Sequence, residues 1–424
     1  MNIMVIGGGG REHAIIQKLK EDPRATTIYA LPGNGGIAAD ATCVPIGATD
    51  IPGMVEFAKN NAIDFAVVAP DDPLVLGAVD ALNEIGIPCF GPKANAAIIE
   101  GSKAFSKDLM KRHGIPTAKY EIFTELDKAL TYLDTAPIPT VVKADGLALG
   151  KGVIIAETRE AAKEAVTDMM AGGKFGKSGT TVVIEEFLTG PEMSGLAFTD
   201  GKTVKPMVSS MDHKRAFDGD LGLNTGGMGT VAPNPYYTSD VAERCMKEIF
   251  LPTIQAMAAE GRPFTGCLYF GLMLTAEGPK VIEYNCRFGD PETQVVLPLL
   301  EGSLLEIMLA TANGTLAETE VRFADKSAAC VILASKGYPE SYQKGFSITL
   351  PETAENERIY IAGAAIKEGQ LVTSGGRVLG ATAVAGDLPA AIKAAYDLAD
   401  RIHFDNAFCR RDIGQRALKA LGGN

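Results

Sequence analysis

The sequence lacks several features that would place a protein in a specialised class. Its seven cysteines are odd in number and never form a Cys-x-x-Cys pair, which excludes a disulfide framework and a thiolate zinc site. No stretch is rich in lysine or arginine and the formal net charge is −12, which disfavours nucleic acid or an anionic membrane as a partner. No apolar run approaches membrane-spanning length. We therefore expect a soluble protein of the reducing cytoplasm.

The chain is too long for a single ordinary core. At 424 residues, of which 46% are hydrophobic, about two to four domains are expected. Residues 1–6 have no basic leader and run directly into glycines. We therefore expect a first β-strand there and not a signal peptide.

Strand and helix patterns alternate along the first part of the chain. Strands are predicted at residues 3–6, 27–30, 65–69 and 88–90, and helices at residues 12–20, 52–60 and 74–84. This alternation predicts a doubly wound parallel sheet. We place this N-terminal, Rossmann-like substrate domain at residues 1–102.

A glycine-rich loop follows the first predicted strand. Gly8, Gly9, Gly10 and Arg11 open the next helix, where bare backbone amides and a helix N-terminus can hold an anion. A dinucleotide is disfavoured because the second strand does not end in a ribose-binding acid. We assign the loop to a phosphate on a smaller substrate. The alternative is that the glycines only relieve crowding in a tight turn.

Asp71 follows a later strand of the same unit, at the edge where open α/β sheets bind ligands. Its carboxylate can accept hydrogen bonds from ribose hydroxyls. The alternative is a helix cap, a common role of aspartate at such positions.

The rest of the chain predicts two further units. Mixed helices and strands predict a small α+β nucleotide lobe at about residues 118–190 within a domain spanning residues 103–325. The larger lobe contains a predicted helix at residues 240–259 and a hairpin. Residues 326–424 predict a small C-terminal α/β domain with little obvious chemistry, which we interpret as a lid or scaffold.

Lysines flank a glycine-rich loop in the small lobe. Lys143 ends a predicted strand, and Gly150, Lys151 and Gly152 follow. Flexible glycines allow a loop to fold over phosphates, whose charge the lysines neutralise. The loop is not a P-loop, because the spacing and the hydroxyl residue after lysine are missing. A hinge is the alternative.

An acidic pair ends the next predicted strand. Glu185 and Glu186 precede Phe187 and Leu188, whose backbone groups can pair with an adenine edge, and Glu192 lies further on to receive ribose hydroxyls. The alternative is that Glu185 and Glu186 are simply solvated, as acid pairs at strand ends usually are.

The most informative stretch spans residues 283–292. It ends a predicted hairpin whose turn lies at residues 276–278. Alternate side chains of a strand share a face, so Glu283 and Asn285 project together while Ile282 packs on the other side.

The chemistry of this strand end suits a metal and a carboxylate. A carboxylate and an amide supply the hard oxygen ligands that Mg²⁺ or Mn²⁺ prefers. The adjacent guanidinium of Arg287 can bind a carboxylate with two hydrogen bonds. An exposed ion pair of Glu283 and Arg287 is the alternative. The joint occurrence of lysines, glycine loop, acid pair and Glu-x-Asn in this order favours the functional interpretation.

On these residues the sequence resembles the ATP-grasp superfamily and, within it, the phosphoribosylamine–glycine ligase family over its full length. The stretches that carry the resemblance are residues 9–14, 32–34, 99–103, 143–148, 212–215, 224–229, 283–294, 375–379 and 409–414.

The resemblance implies a two-lobed ATP-grasp core and a reaction. The implied activity joins glycine to 5-phosphoribosylamine through a glycyl phosphate and gives glycinamide ribonucleotide, ADP and phosphate, a step of purine biosynthesis. It implies Mg²⁺ or Mn²⁺ as the metal and ATP, glycine and phosphoribosylamine as small-molecule partners. It also implies a cytoplasmic monomer.

The resemblance also implies roles for individual residues. Those implied to bind ATP are Lys103, Lys143, Gly150, Lys151, Gly152, Glu185, Glu186, Phe187, Leu188 and Glu192. Those implied to bind substrate are Gly8, Gly9, Gly10, Arg11, Gly33, Asn34, Asp71, Asp212 and Arg287. Arg287, Lys143 and Lys214 are implied to be catalytic, and Glu283 and Asn285 to hold the metal.

Some positions depart from the family pattern, and the roles of two loops and of His213 are expectations. Asp71 stands where the family has glutamate, Met211 where it has glutamine and Leu223 where it has proline. The loops at residues 146–152 and 218–229 are expected to act as lids that exclude water. His213 is either a base or, as we favour, a hydrogen-bonding loop residue.

Three rival functions stay open on the sequence alone. They are another ATP-grasp carboxylate–amine ligase, a nicotinamide-dependent oxidoreductase and a nucleotide sensor without turnover. The absent ribose acid disfavours the oxidoreductase, and the intact Glu283, Asn285 and Lys143 disfavour the sensor.

Overall fold

The computed structural model describes residues 1–147, 152–172 and 176–422. The N-terminal unit is built on a parallel sheet. Its strands are β1 (Asn2–Gly7), β2 (Thr27–Pro32), β3 (Thr42–Cys43), β4 (Phe65–Val68) and β5 (Cys89–Phe90). They pair in the order β3-β2-β1-β4-β5, every pair parallel. This confirms the predicted doubly wound sheet.

Helices cover both faces of this sheet and bury its central strand. They are α1 (Gly10–Leu19), α2 (Ile51–Asn60), α3 (Asp71–Val75), α4 (Ala78–Glu84) and α5 (Ala94–Gly101). Ile3 and Ile6 of β1 are fully buried, as expected for a parallel strand covered on both faces. The single helix predicted at residues 74–84 is wrong. Gly77, with φ +90°, interrupts it.

An antiparallel sheet backed by helices forms the next unit. Its elements are α6 (Lys103–His113), β6 (Tyr120–Phe123), α7 (Leu126–Leu133), β7 (Thr140–Ala144), β8 (Val153–Ala156), α8 (Arg159–Met170) and β9 (Val182–Glu186). The strands pair in the order β6-β9-β7-β8. Val142, Val166 and Ile184 belong to its separate apolar core. The arrangement is the small α+β lobe that the sequence predicts.

A second antiparallel sheet belongs to the larger lobe. The elements in this part are β10 (Glu192–Asp200), β11 (Val204–Pro206), β12 (Met211–Asp212), β13 (Arg215–Phe217), β14 (Leu221–Asn224), β15 (Gly229–Ala232), α9 (Ser239–Cys245), α10 (Leu251–Ala259), β16 (Thr265–Thr275) and β17 (Gly278–Asn285). The sheet order is β11-β10-β16-β17. A π-helical segment, Met246–Phe250, joins α9 to α10, and β16 and β17 form the predicted hairpin.

The last part of the chain adds a third sheet. Its elements are α11 (Thr293–Val296), β18 (Leu300–Glu301), α12 (Leu304–Asn313), β19 (Arg322–Phe323), β20 (Ser327–Ser335), β21 (Glu357–Ile361), β22 (Ala364–Lys367), β23 (Gln370–Thr373), β24 (Arg377–Ala385), α13 (Leu388–Ala399), β25 (Ala407–Phe408) and α14 (Gln415–Ala420). The main sheet runs β12-β15-β20-β24-β21, and β25 pairs with β20. Strands from residues 211–232 therefore join the sheet of the C-terminal unit.

Hydrogen bonds dock the C-terminal unit on the N-terminal one. The Ile361 N–H donates to His13 Nδ1 at 2.8 Å, so the proton of the neutral His13 ring lies on Nε2. This nitrogen is 2.9 Å from Asp40 Oδ2. The His13 ring therefore links α1 to the end of β21.

Asn34 uses its whole side chain at the same junction. Its Nδ2 donates to Gly8 O at 2.9 Å and to Ile361 O at 2.8 Å. Its Oδ1 accepts from the N–H groups of Gly36 and Ile37 at 2.8 and 2.9 Å. One amide thus fixes the glycine loop, its own turn and the C-terminal unit together.

In the described part of the chain, no helix combines the length and the apolar character required to cross a bilayer.

Replacing Asn34 with alanine should loosen this docking. Hydrogen bonds contribute about 1 kcal/mol each, so removing these four costs on the order of 2–4 kcal/mol. Hydrogen–deuterium exchange measured by mass spectrometry should become faster in peptides covering β21. Asn83→Ala, at an exposed position of α4, is the matched control and should leave exchange in β21 unchanged. If β21 peptides of Asn34→Ala exchange at the same rate as those of the parent, Asn34 does not hold the C-terminal unit in place.

Candidate functional site

The carboxylate of Glu283 lies among cations near the end of β17. Its Oε1 is 3.6 Å from the Nζ of Lys214. Burial favours the neutral form of this carboxyl group, but Lys214, Lys143, Lys103 and Arg287 together outweigh it and hold the pKa of Glu283 below its ordinary value. The group is therefore ionised at neutral pH, and the cations beside it can also face a polyanionic ligand.

A β-bulge in the hairpin places a backbone acceptor at this site. Gly271 pairs with Glu283 and Leu272 with Val281, so Ile282 is the extra residue. The carbonyl oxygen of Ile282 accepts from Lys143 Nζ at 3.0 Å. The bulge interrupts the strict alternation on which the predicted placement of Ile282 opposite Glu283 rests.

Glu185 is held between two buried lysines. Its Oε1 is 3.1 Å from Lys143 Nζ, and its Oε2 is 3.1 Å from Lys107 Nζ. Burial lowers the pKa of Lys107 to about 8 against the opposing effect of Glu185, and its Nζ also donates to Thr117 Oγ1 at 2.7 Å. A solvated acid pair is therefore excluded for Glu185, whose carboxylate orients Lys143. Lys107 is not among the residues that the sequence pattern predicts at this site.

The next residues leave the sheet. Glu186, the last residue of β9, accepts from the Lys119 N–H at 3.0 Å. Phe187 is 38% exposed and Leu188 follows it. The backbone predicted to pair with an adenine edge therefore lies just beyond the last strand pairing of β9.

Lys103 stands at the start of α6 and faces the loop after β7. Its Nζ donates to Gly146 O at 2.8 Å. Asp145 in this loop accepts from Ser102 Oγ at 3.1 Å and from the Ala104 N–H at 3.0 Å. Burial lowers the pKa of Lys103, and Glu283 opposes this shift. The loop and the helix are thereby joined through the lysine and the aspartate.

Two residues predicted in that loop, Gly150 and Lys151, lie outside the described residues. Gly152 is described and accepts from the Ala144 N–H at 2.8 Å. The predicted lid at residues 146–152 is accordingly only partly described.

Asn285 and Arg287 share one buried partner, Glu100 of α5. Glu100 Oε1 accepts from Asn285 Nδ2 at 3.0 Å and from Arg287 Nη2 at 3.1 Å. Asp71 Oδ2 lies 3.9 Å from Arg287 Nη2 on another side. Burial opposes the charge of Asp71, but Arg287 and Arg11 lower its pKa overall. The structure therefore brings Asp71, Asn285 and Arg287 close to one glutamate, Glu100, which the sequence did not single out.

Asp212 and Lys214 line the opposite side of the site. Lys214 Nζ is 3.8 Å from Glu192 Oε2 as well as 3.6 Å from Glu283 Oε1. Burial, followed by repulsion from Glu292, raises the pKa of Asp212 well above its ordinary value. Ser194 Oγ donates to Glu292 Oε1 at 3.1 Å. Glu292, in the 283–294 motif, is a further acid that sequence reasoning did not assign.

The N-terminal glycine loop faces the segment after β17. The Arg11 N–H donates to Asp290 Oδ2 at 3.2 Å, and Arg11 Nη1 donates to Phe288 O at 2.9 Å. Part of the loop is already capped, because the Gly9 N–H donates to Glu12 Oε2 at 2.6 Å.

Crowding explains one of the loop glycines. A Cβ on Gly8 would lie 2.3 Å from the Gly33 carbonyl oxygen, so no side chain fits there. Gly33 itself has φ +70°, a conformation that favours glycine. The side chain of Asn34 is fully occupied within the protein, and its contact with substrate stays a prediction.

Arg377 extends the site into the C-terminal unit. Its Nη1 donates to Gly226 O at 2.9 Å and to Asp290 O at 3.0 Å, and lies 3.3 Å from Asp290 Oδ1. Tyr338 OH accepts from the Gly226 N–H at 3.0 Å. The sequence predicts a C-terminal unit with few functional residues, and these contacts are absent from that prediction. The motif at residues 375–379 was the one signal for them. They also anchor part of the predicted lid at residues 218–229.

His213 is a buried hydrogen-bonding residue. The Gly414 N–H donates to its Nε2 at 3.1 Å, so its Nδ1 carries the proton and faces Gly229 O at 3.1 Å. Burial, assisted by Arg416 and Arg410, lowers the pKa of His213 to about 4. Both ring nitrogens are thus occupied, which agrees with the favoured prediction.

Two antiparallel lobes, with Lys143 of one bonded to the Ile282 carbonyl beside Glu283 of the other, are typical of an ATP-grasp enzyme. Three family models match the chain. They are described as the N domain, the ATP-grasp (A) domain and the C domain of phosphoribosylglycinamide synthetase, and they match residues 1–100, 101–293 and 328–416. The chain belongs to the phosphoribosylamine–glycine ligase family.

Individual relatives agree over the whole length. The phosphoribosylamine–glycine ligase of Vibrio cholerae is 49% identical over 423 residues and that of Haemophilus influenzae 50% identical over 424, each covering 99% of both chains. The crystal structure of the Thermotoga maritima ligase is 34% identical, with a TM-score of 0.86 and coverage of 97% of this chain and 100% of that one.

A distant structural relative shows the fold alone. Biotin carboxylase from Campylobacter jejuni has a TM-score of 0.76 at 14% identity, over 96% of this chain and 92% of its own.

Acid should destabilise the protein partly through His213. Its pKa is about 4 in the folded chain and 6.5 ordinarily, so between these values the unfolded chain binds a proton that the folded chain does not. The stability that neutral His213 contributes is present above pH 6.5 and is lost as the pH falls towards 4.

The non-titrating His213→Gln variant should therefore lose about 2 kcal/mol less stability than the parent between pH 7 and 5, measured by denaturant unfolding at both pH values. His403→Gln, at an exposed position, is the control and should keep the parental pH dependence. Equal losses in the parent and His213→Gln would contradict the assignment.

Proposed function

We propose that this chain ligates glycine to 5-phosphoribosylamine with ATP, giving glycinamide ribonucleotide, ADP and phosphate, a step of de novo purine biosynthesis. Family membership over the whole chain supports the substrates. The structural observation that carries the proposal is the placement of lysines beside the carboxylate of Glu283. Lys214 Nζ lies 3.6 Å from its Oε1, and Lys143 Nζ donates to the adjacent Ile282 carbonyl at 3.0 Å. Cations in this position suit the phosphates of ATP and a transferring phosphoryl group.

The reaction first makes glycine reactive. A carboxylate is a poor electrophile, so attack of its oxygen on the γ-phosphorus of ATP forms glycyl phosphate and releases ADP. The amine of phosphoribosylamine then attacks the acyl carbon, loses a proton, and phosphate leaves. Lys103, Lys143 and Lys214 offset the negative charge that develops, and no nucleophilic side chain is required.

Glu283 and Asn285 fit a divalent metal. The carboxylate is ionised, and the amide of Asn285 donates through Nδ2 to Glu100 and Tyr284, which leaves its oxygen available as a hard ligand. Mg²⁺ or Mn²⁺ bound there supplies charge neutralisation and orientation of phosphate oxygens.

The substrates are proposed to enter from the N-terminal side. Arg287 orients the glycine carboxylate, because a guanidinium can bind it with two parallel hydrogen bonds. Gly9, Gly10 and Arg11 hold the phosphate of phosphoribosylamine at the start of α1, and Asp71 contacts its ribose. Their support is the position of this loop beside the segment that follows Arg287.

The remaining roles complete the proposal. The backbone of residues 186–188 pairs with adenine, Glu192 receives the ribose of ATP, and Asp212 contacts glycine. The domain limits are proposed at residues 1–102, 103–325 and 326–424. We place the protein in the cytoplasm as a monomer that does not bind nucleic acid, supported by its net charge of −12.

The test of the function is ADP release with Mg²⁺, ATP, glycine and phosphoribosylamine generated in situ, with each component omitted in turn. Release should require all of them, and glycinamide ribonucleotide should form in equal amount. Release with a different carboxylate or amine, in the absence of glycine or phosphoribosylamine, would instead support another ATP-grasp ligase.

Glu283→Gln should abolish turnover and leave the fold intact. The neutral amide is a poorer metal ligand and leaves the surrounding cations unbalanced, so the rate should fall by at least about 100-fold. Circular dichroism and the thermal unfolding midpoint report the fold. Glu277→Gln, whose side chain is 79% exposed in the turn of the same hairpin, should retain parental activity. Substantial residual activity in Glu283→Gln would refute the metal assignment.

A further inference from the structure

We infer that Glu100 is a positioning residue that aims the metal-binding amide of Asn285 and the guanidinium of Arg287. The inference rests on the roles proposed for Asn285 and Arg287. The carboxylate oxygens of Glu100 accept from Asn285, Cys286 and Arg287. Glu100 therefore acts through Asn285 and Arg287.

The carboxylate of Glu100 holds three consecutive residues at once. Its Oε1 accepts from Asn285 Nδ2 at 3.0 Å and from Arg287 Nη2 at 3.1 Å. Its Oε2 accepts from the Cys286 N–H at 2.6 Å. The end of β17 and the residues after it are therefore fixed to α5 by a single side chain.

The contact with Asn285 decides which end of its amide faces the site. Both oxygens near Nδ2, Glu100 Oε1 at 3.0 Å and Tyr284 O at 2.9 Å, are acceptors. They can pair only with the NH₂ group, so the oxygen of Asn285 is directed away from Glu100. A donor at position 100 would favour the reversed amide and remove a metal ligand.

The contact between Glu100 and Arg287 sets the orientation of the planar guanidinium group of Arg287. Asp71 competes for the same guanidinium nitrogen, Nη2, from 3.9 Å. Glu100 Oε1, at 3.1 Å, is the nearer of the two anions. The other guanidinium nitrogens restrain the group less, since Nη1 donates to Phe288 O at 3.3 Å and the buried Nε has no hydrogen-bond partner within the described residues. Without Glu100, attraction to Asp71 would turn the guanidinium group away from its present direction.

The location of Glu100 is electrostatically unfavourable for a purely structural residue. It is 8% exposed, and burial raises the pKa of its carboxyl group while Arg287 opposes the shift. It also lies near the C-terminus of α5 (Ala94–Gly101), where the helix dipole disfavours negative charge. An apolar residue would suit such a position better.

The same turn carries a second part of the site. Lys103 begins α6 three residues after Glu100 and reaches Gly146 O. The α5–α6 junction thus sets the spacing between the lysine beside the nucleotide loop and the metal-binding strand end.

Glu100→Gln tests the inference. The concentration of Mg²⁺ giving half-maximal rate and the KM for glycine should each rise by about 10- to 100-fold, the range found when partners of metal ligands are replaced. The KM for ATP, measured at saturating Mg²⁺, should change less than threefold. A residue that only supports the fold would lower the thermal midpoint or the amount of active enzyme without shifting these two constants.

A double variant separates positioning from folding. Glu100→Gln combined with Asn285→Asp exchanges carboxylate and amide across the hydrogen bond between these residues at nearly constant volume and charge, with loss of the bond to Tyr284 O. Metal activation should recover to within about tenfold of the parent. The glycine KM stays raised because Arg287 still lacks the carboxylate of Glu100, its nearer anion. Glu84→Gln, exposed on α4, is the control and should match the parent in both constants.

The outcomes distinguish this inference from the proposed function. A parent enzyme that does not ligate glycine would overturn the function itself. If the parent ligates glycine, and Glu100→Gln leaves both the half-maximal Mg²⁺ concentration and the glycine KM unchanged, Glu100 is not a positioning residue. Failure of the double variant to recover metal activation would refute the aiming of Asn285.

Discussion

The ionised carboxylate of Glu283 is the constraint on which the rest of the site depends. Burial raises the pKa of this carboxyl group, and Lys214, Lys143, Lys103 and Arg287 together lower it below its ordinary value. These cations come from distant parts of the chain, and each needs its own restraint. Glu185 and the bulged carbonyl of β17 hold Lys143, and Glu100 holds Arg287. Loss of any restraint would weaken the charge balance at the metal-binding strand end.

The flanking units act on this centre through hydrogen bonds at their junctions. Arg377 joins the glycine-rich segment at residues 226–227 to Asp290, and Asp290 in turn receives the N–H of Arg11. His13 and Asn34 attach the end of β21 to the N-terminal sheet. The C-terminal unit is therefore part of the framework around the site, and its motif at residues 375–379 reflects that contact.

Patterns local to the sequence predicted much of this arrangement. Alternating strands and helices gave the N-terminal sheet, and the apolar runs around residues 276–278 gave the hairpin that presents Glu283 and Asn285. The bulge at Ile282 and the helix break at Gly77 were not predictable, because register and turn geometry depend on pairing partners. Glu100 was only one residue of the motif at 99–103, and its role could not be predicted because its partners lie 185 to 187 residues away in the sequence. Contacts between residues so far apart in the sequence can be identified only in the folded structure.

In the proposed reaction, ligation proceeds through an acyl phosphate whose charge the surrounding cations neutralise, and no covalent bond to the protein forms. Glycine labelled with ¹⁸O in both carboxylate oxygens tests it directly when the released phosphate is analysed by mass spectrometry. Formation of glycyl phosphate predicts one ¹⁸O atom in each phosphate, because the carboxylate oxygen that attacks ATP leaves with the phosphoryl group. Unlabelled phosphate, released in step with glycinamide ribonucleotide, would contradict the account.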